Sequence, residues 1–446
     1  MPVNFFPLNE FDLAQLASEA GGEGCAVLAG GNRVIVGIRP IRETNEIPSE
    51  GAETFPRLQK GICVIGCLAY PNVGLKNTIP SARFYSYEFI QNSKIQKFKN
   101  SKLSQGQSTF RVGKFKANIS KKTYFQKIEK IKEYLTAGEV YQINFAIRFT
   151  APFSGDPYGL FLALQQKNPA DFSAYFNGGD FQIVSCSPER LFQMKNGIIR
   201  TQPIKGTAPK ELKIKNQEIR IKDLRQSASL ERLLGSEKER AELDMITDLE
   251  RNDLGKICEY GSVRVKKERA ILELPNLWHT YSEIQGRLRE DVSTHEIFDA
   301  LFPGGSVTGC PKIRAMRFIS ELEGAPRNIF TGAIGYMASD ERRETSDERR
   351  ETSDERRETS DERRETSSER RETSSERRVA RDEEERKLVT GHSSLDFNIA
   401  IRTALIQDGR IEFWAGGGIV MDSDPEREYL ECLLKAERIL DTIGQG

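Results

Sequence analysis

Apolar residues come first in short unbroken runs. Cys25-Ala26-Val27-Leu28, Val34-Ile35-Val36-Gly37-Ile38 and Ile62-Cys63-Val64-Ile65-Gly66-Cys67-Leu68 are bounded by glycine, proline and polar residues, the pattern of buried strands. After Ser120 the period changes. Phe125, Ile128, Ile131 and Leu135 recur three to four apart and predict a helix with Ser120 as N-cap and Gly138 past its end. A strand-rich stretch reaches Thr201, ending in a strand over Gly197 to Thr201. Helices are predicted at 211–250, 293–301, 311–322 and 425–441, with strands between them. This mixed order, without alternating βαβ units, points to an α+β fold. Residues 1–110 read as an N-terminal β-rich region, with a polar, lysine-rich linker or exposed loop over 91–118. Residues 119–446 read as the larger unit.

One segment breaks the pattern. From Glu341 the chain repeats Glu-Arg-Arg-Glu-Thr-Ser-Asp every seven residues, and the low-complexity stretch occupies 339–389. Seven is the coiled-coil period, but no position of the repeat is apolar, so no seam can be buried. Thr, Ser and Asp are mediocre helix formers, and the expectation is a disordered insertion. It separates Gly332 to Tyr336 from Asp396 to Thr403, which look like paired strands. Lengthening a surface loop costs only about 0.6 kcal/mol per doubling, so the fold is expected to survive it. Neutral tandem duplication and a partner-binding segment both remain open.

Lys+Arg and Asp+Glu both number 66, a balance that gives no support to a nucleic-acid or membrane-surface role. No apolar run approaches the roughly 18 residues of a membrane span, and Met1 to Glu10 lacks a secretory layout. Seven scattered cysteines suit reduced thiols in a cytoplasmic protein. With three histidines a His/Cys zinc site is not expected, and any metal should be a hard cation on carboxylates.

Two carboxylate pairs meet that requirement. Glu239 and Glu242 lie three apart on a helix starting near Ser236, and Glu428 and Glu431 repeat the spacing on the last helix, behind Asp424 as N-cap and Pro425. Mg²⁺ takes octahedral oxygen ligands and keeps water or substrate oxygens among them. Each pair also has a plain structural explanation. Ser236 and Glu239 have the spacing of a capping box, and Glu431 with Lys435 that of a surface ion pair. Gly304-Gly305-Ser306-Val307-Thr308-Gly309 before a helix could present backbone N–H groups to an anion, and Gly416-Gly417-Gly418 allows a second close approach. Neither is a dinucleotide fingerprint or a P-loop. His279 beside Trp278, and Lys205 beside a Gly-Thr turn, are by themselves as readily structural.

The order of these motifs is informative. Pro203-Ile204-Lys205-Gly206-Thr207 is followed by Asp248-Leu249-Glu250-Arg251-Asn252-Asp253-Leu254, then Phe302 to Gly309, then Gly416 to Asp424. Gly138 to Asn144 and Ser187-Pro188-Glu189-Arg190 precede them. Over most of residues 120–440, outside the repeat, the chain resembles the chorismate-utilising enzymes. Within that family it looks like the aminodeoxychorismate synthase component I branch, which carries the Pro-Ile-Lys-Gly-Thr motif. Anthranilate synthases have alanine where this chain has Lys205.

The resemblance implies large antiparallel sheets packed together, helices outside, and an active site in a central cleft. It implies Mg²⁺ on Glu239, Glu242, Glu428 and Glu431. Lys205 and His279 are the implied catalytic residues, and Thr308, Tyr336, Arg402, Gly416, Gly417, Gly418 and Lys435 the implied substrate contacts. The implied reaction adds Lys205 to C2 of chorismate as the C4 hydroxyl leaves. Ammonia then enters at C4 and expels the lysine, giving 4-amino-4-deoxychorismate for 4-aminobenzoate and folate synthesis. A lysine attacks only as the free amine. No glutaminase module is visible, so ammonia would come from a separate glutamine amidotransferase or from solution. Cys310 replaces a usual alanine, and without a Leu-Leu-Glu-Ser element feedback by tryptophan is not expected. Three alternatives stay open: an anthranilate synthase component I, an isochorismate synthase (whose key lysine lies elsewhere), and an inactive paralogue with an interaction segment.

Overall fold

The computed structural model describes residues 22–30, 33–37, 40, 42–45, 62–88, 93–94, 110–209, 229–274, 277–339 and 393–443. The heptad repeat and residues 211–228 of the helical stretch predicted at 211–250 lie outside the described residues. Seven helices are described: α1 (Lys121–Thr136), α2 (Pro157–Lys167), α3 (Ser229–Gly235), α4 (Glu237–Gly255), α5 (Thr294–Leu301), α6 (Lys312–Glu323) and α7 (Pro425–Ile443).

Local chemistry sets their ends. Ser120 Oγ accepts the Thr123 N–H at 3.1 Å to open α1, and Asp156 takes the N–H groups of Tyr158 and Gly159 at 2.9 Å to open α2. Ser293 and Glu296 close a reciprocal capping box on α5. The buried stripe of α1 is Tyr124, Ile128, Ile131 and Leu135, so Tyr124 takes the place expected for Phe125, which is only partly covered.

The strands form two antiparallel sheets. In the first, Gly309–Cys310 flanks Gln142–Gly155, followed across the sheet by Arg410–Ile419, Thr403–Gln407, Phe181–Ser187, Phe172–Asn177 and Ala26–Gly30. The second runs from edge strand Ile204–Pro209 through Leu277–Arg287, Ile198–Gln202, Arg190–Lys195, Ser393–Ile399, Ala333–Ser339 and Ile62–Leu68 to Ala82–Glu88. Strands from both ends of the sequence therefore share each sheet.

The sheets pack face to face, and helices cover both outer faces. Cys63, Ile65 and Cys67 point between the sheets with Phe176, Ile183 and Leu405, whereas Val64 and Leu68 face outward into a core shared with Leu254 of α4 and Phe298 of α5. Burial on both faces explains why Ile62–Leu68 reads as an unbroken apolar run. On the first sheet, Ile143, Phe145, Ile147 and Phe149 pack outward against α1, α2, α6 and α7. The α+β class with packed antiparallel sheets is as expected.

One sequence expectation is corrected. Asp396 to Thr403 is not a single strand: Ser393–Ile399 pairs with Ala333–Ser339 in the second sheet, whereas Thr403–Gln407 belongs to the first. The crossing falls at Ile401-Arg402, and Arg402 turns the chain with φ 51°.

Arg327, just beyond α6, is fully buried. Its guanidinium donates to both carboxylate oxygens of Glu323 at 2.7 and 2.8 Å, to Val307 O at 3.0 Å, to Asn144 O at 2.7 Å and to Thr331 Oγ1 at 3.1 Å. It also lies over the rings of Tyr70 and Phe330. Glu323 in turn accepts the Ala146 N–H at 3.0 Å. Removing one member of such a buried pair strands the other charge. Arg327→Met is expected to lower unfolding free energy in urea by about 3–5 kcal/mol, and the double change Glu323→Leu/Arg327→Met to recover much of that loss.

Candidate active site

The edge strand Ile204–Pro209 carries Lys205 opposite Thr280, and Thr207 opposite His279, with Gly206 as the extra residue of a bulge. Gly206 sits at φ 69°, a conformation glycine adopts without strain. The bulge aims its carbonyl at the His279 ring, 2.9 Å from Nδ1. His279 Nε2 lies 3.1 Å from a guanidinium nitrogen of Arg402. Arginine can only donate, so Nε2 accepts and Nδ1 carries the proton to Gly206 O. His279 is thus a neutral imidazole tying the edge strand to the crossing between sheets.

Lys205 Nζ donates to Ser306 O at 3.1 Å, and Thr280 Oγ1 donates to Lys205 O at 2.8 Å. Ser306 belongs to the short 3₁₀ turn Gly305–Val307. Here the structure departs from the expected anion cradle. The N–H groups of Val307 and Thr308 close back onto Gly304 O and Gly305 O, and Thr308 Oγ1 donates to Gly304 O at 2.9 Å. The turn presents a carbonyl to the lysine, and buried Thr308 holds the turn together from within.

Gly416, Gly417 and Gly418 lie in mid-strand, paired with Ala146, Phe145 and Asn144, and not in a loop. The absence of side chains opens both faces of the sheet. A Cβ on Gly417 would lie within 4 Å of Lys435 Nζ, Glu428 Oε2 and Glu431 Oε1. One on Gly418 would lie 3.4 Å from Lys205 Nζ and 2.5 Å from Gln142 Nε2.

The four predicted carboxylates gather where α4 meets α7. Ser236 Oγ accepts the Glu239 N–H, but the Ser236 N–H turns to Leu233 O, so the Glu239 carboxylate is not consumed in a capping box. Burial, then Glu242 and Glu431, push the Glu239 carboxyl up to about 7. Burial also raises Glu242. Two lysines stand among the acids. Lys238 Nζ lies 3.0 Å from Glu428 Oε1 and 3.7 Å from Glu242 Oε1, and Ser423 Oγ donates to Glu428 Oε1 at 2.7 Å. Lys435 donates to Glu431 at 2.7 Å and to Gly416 O at 2.9 Å, which holds Glu431 below the usual carboxylate range. Among the described residues no three acidic, histidine or cysteine side chains stand close enough to enclose an ion as they are. The donor set nonetheless suits a hard dication: all oxygen, on two helices, with a carboxyl raised by like charge that a cation would relieve.

Tyr336 is not brought into this cluster. Strand alternation sends it with Ile334 into a cavity of about 620 Å³ between the sheets, lined also by Arg190, Gln202, Tyr281 and Asp396. Gln202 and Ile204 face that cavity and Lys205 does not line it.

Other residues join the site that the sequence reading did not assign to it. Glu189 is fully buried behind Lys205, accepts the Ile204 N–H at 3.2 Å, and is held above its ordinary range by burial, against the pull of Ser306, Lys205 and Arg402. Its signal was a charged residue in Ser187-Pro188-Glu189-Arg190, between two apolar strands. Lys238 had no signal, because its role depends on α7 arriving beside α4. Gln142 lies within Gly138 to Asn144, a motif in which it had no assigned role.

The family model for chorismate binding enzymes matches residues 76–346 and 388–441, and the chain belongs to that family. Among relatives, it is 33% identical over 325 residues to aminodeoxychorismate synthase component 1 of Bacillus subtilis (strain 168), covering 73% of this chain and 56% of that one. It is 30% identical over 335 residues to anthranilate synthase component 1 of Acinetobacter calcoaceticus, covering 74% and 55%. The chain thus spans little more than half the length of these relatives. The crystal structure of anthranilate synthase component I from Streptococcus pneumoniae TIGR4 shares the fold, with TM-score 0.63, 24% identity and coverage of 94% of this chain and 90% of that one. Among the described residues no helix is long and apolar enough to cross a membrane.

Glu250 of α4 lies buried beneath Gly305, and burial pushes its carboxyl up to about 8, against the pull of the Thr201 hydroxyl. The folded protein therefore keeps this proton where the unfolded chain, with a carboxyl near 4.3, has lost it. Stability from this group is fully present below the unfolded value and is lost as pH rises towards 8. Glu250→Gln is expected to gain in melting temperature relative to the parent steadily between pH 5 and 8, then level off. A constant difference across that range would exclude the effect.

Proposed function

We propose that the chain is a chorismate-converting synthase of the aminodeoxychorismate type. The observation that carries this is the placement of Lys205. Its amine stands at the bare backbone of Gly418, within reach of one carbonyl and backed by Glu189, His279 and Arg402. A primary amine presented in this way suits a covalent adduct.

In this reading Arg402, steadied by His279, binds a substrate carboxylate. Both His279 nitrogens are engaged, so its part is to orient the guanidinium, and the proton for the departing hydroxyl comes from Glu189, whose burial favours the protonated form. The free amine of Lys205 bonds to C2, both ring double bonds shift, and the C4 hydroxyl leaves as water with that proton. Ammonia then bonds to C4, both double bonds shift back, and the C2–N bond breaks to return the lysine. Mg²⁺ held by Glu239, Glu242, Glu428 and Glu431 would supply a positive charge for a substrate carboxylate. Lys238 and Lys435 would swing from the acids as the ion enters. The names of relatives as component 1 support a partner subunit, for which we propose a glutamine amidotransferase supplying ammonia in 4-aminobenzoate synthesis.

Product identity tests the reading. The purified chain with chorismate, Mg²⁺ and ammonium should form aminodeoxychorismate, convertible to 4-aminobenzoate by an added lyase. Lys205→Ala should reduce that turnover at least a hundredfold while leaving the melting temperature within a few degrees. Release of anthranilate and pyruvate would instead favour the anthranilate synthase reading. For the metal, calorimetric titration with Mg²⁺ should give one site, weakened at least tenfold in Glu428→Gln; unchanged binding would remove the carboxylates from the proposal.

A further inference from the structure

Lys238 is an odd residue to open a helix with. It stands in the first turn of α4, just behind the Ser236 cap, where the helix dipole favours acids and opposes a cation. What holds it there lies partly on another helix. Its Nζ is 3.0 Å from Glu428 Oε1 of α7 and 3.7 Å from Glu242 Oε1 of α4, so it stands between one acid from each helix. Those acids are 6% and 11% exposed, whereas the lysine side chain is 41% exposed. The stem therefore lies at the surface, and the ammonium reaches in to buried oxygens.

The two helices are seated in different cores. Leu254 of α4 packs on the outer face of the second sheet, and Cys432 and Ala436 of α7 on that of the first. Where they meet, buried carboxylates from both sides repel unless a cation stands between them. Lys435 does not take that position, since it pairs with Glu431 of its own helix and donates to Gly416 O. Glu428 Oε1 is fixed further by the Ser423 hydroxyl at 2.7 Å, so the acid is held in place for whichever cation is present.

We infer that Lys238 is a tethered counter-ion that bridges α4 and α7 when no dication is bound and competes with the dication for Glu242 and Glu428. This inference rests on the Mg²⁺ reading above and adds to it a residue that sets how tightly the ion is held. The lysine stem has solvent beside it, so the ammonium can swing out without unpacking either helix. Each ion that enters must first break a charge-assisted pair. The apparent affinity then falls with the fraction of molecules in which the lysine is already out.

The test uses the full chain after chelator treatment, with Mg²⁺ alone as the probe and no substrate. Lys238→Met keeps the stem and removes the charge. Without Mg²⁺ it should melt at least 3 °C below the parent, because two buried acids lose their shared partner. In calorimetry it should bind Mg²⁺ at least tenfold more tightly than the parent. Saturating Mg²⁺ should therefore raise its melting temperature more than it raises the parent's. Lys121→Met is the control for overall charge: it removes a lysine paired with Glu426 of α7 on the open surface, and its Mg²⁺ affinity should stay within twofold of the parent. Should the methionine variant at 238 fail to fold, Lys238→Gln must show the same tightening. Mg²⁺ affinity within twofold of the parent, or weaker, in a folded Lys238 variant overturns the inference, as does equal tightening in Lys121→Met. If neither parent nor variant binds Mg²⁺, the metal reading falls together with the inference. A parent that binds, with a Lys238 variant that binds equally, overturns the inference alone.

Discussion

The active-site turn is where it is because of one buried cation. Arg327 lies on no strand, yet its guanidinium joins the end of α6, the carbonyl of Val307 and the carbonyl of Asn144. Asn144 lies 183 residues from Arg327 in the sequence. Charge-assisted bonds to fixed carbonyls constrain direction as well as distance. Val307 is next to Ser306, whose carbonyl receives both Lys205 and Asn144. The position of the lysine amine is therefore set through two bonds by an arginine on the far side of the turn. A hydrophobic residue at 327 would fill the space without fixing the turn.

Around that anchor the site is built from elements at their ends or at their irregularities. Lys205 precedes a bulge, Arg402 sits on the crossing between sheets, and the three glycines run through a strand that otherwise carries bulky apolar side chains. Each is a place where local preference is overruled. Arg402 holds a left-handed backbone that a long side chain adopts reluctantly, and the crossing compels it, since Ile399 and Thr403 belong to opposite sheets. The acids and lysines between α4 and α7 follow the same logic. Glu239 is raised by burial and by its acidic neighbours while Glu431 is lowered by Lys435, so the two lysines offset part of the cluster's negative charge. A dication bringing its own charge would release the lysines it displaces.

How much of this was legible in the sequence depended on the range of the interaction. Ser120, Asp424 and the Ser236 cap act within four residues and could be read directly. The glutamate pairs were visible for the same reason, as spacing on one helix face. Lys238 among those acids was not, because it depends on how two helices nearly two hundred residues apart meet. Tyr336 was assigned through resemblance alone, since a strand buried on both faces gives no periodicity to tell which face a residue serves. Likewise the run from Asp396 to Thr403 looks uniformly strand-like, and only the pairing partners reveal the change of sheet. Pro203 to Thr207 was informative through resemblance, whereas the bulge that makes Gly206 matter is a matter of register.

Lys205 and Ser306 show how one fold can present an amine without neutralising it. The charged partners of the lysine are at a remove: Glu189 lies behind it, and the α4 carboxylates are shared with Lys238 and Lys435. The amine donates to a neutral partner, the Ser306 carbonyl, and approaches the bare backbone of Gly418. Separating orientation from charge in this way requires the buried polar groups to be fixed by the scaffold, and the strand pairing at Gln142 and the Arg327 bond at Val307 supply that fixation.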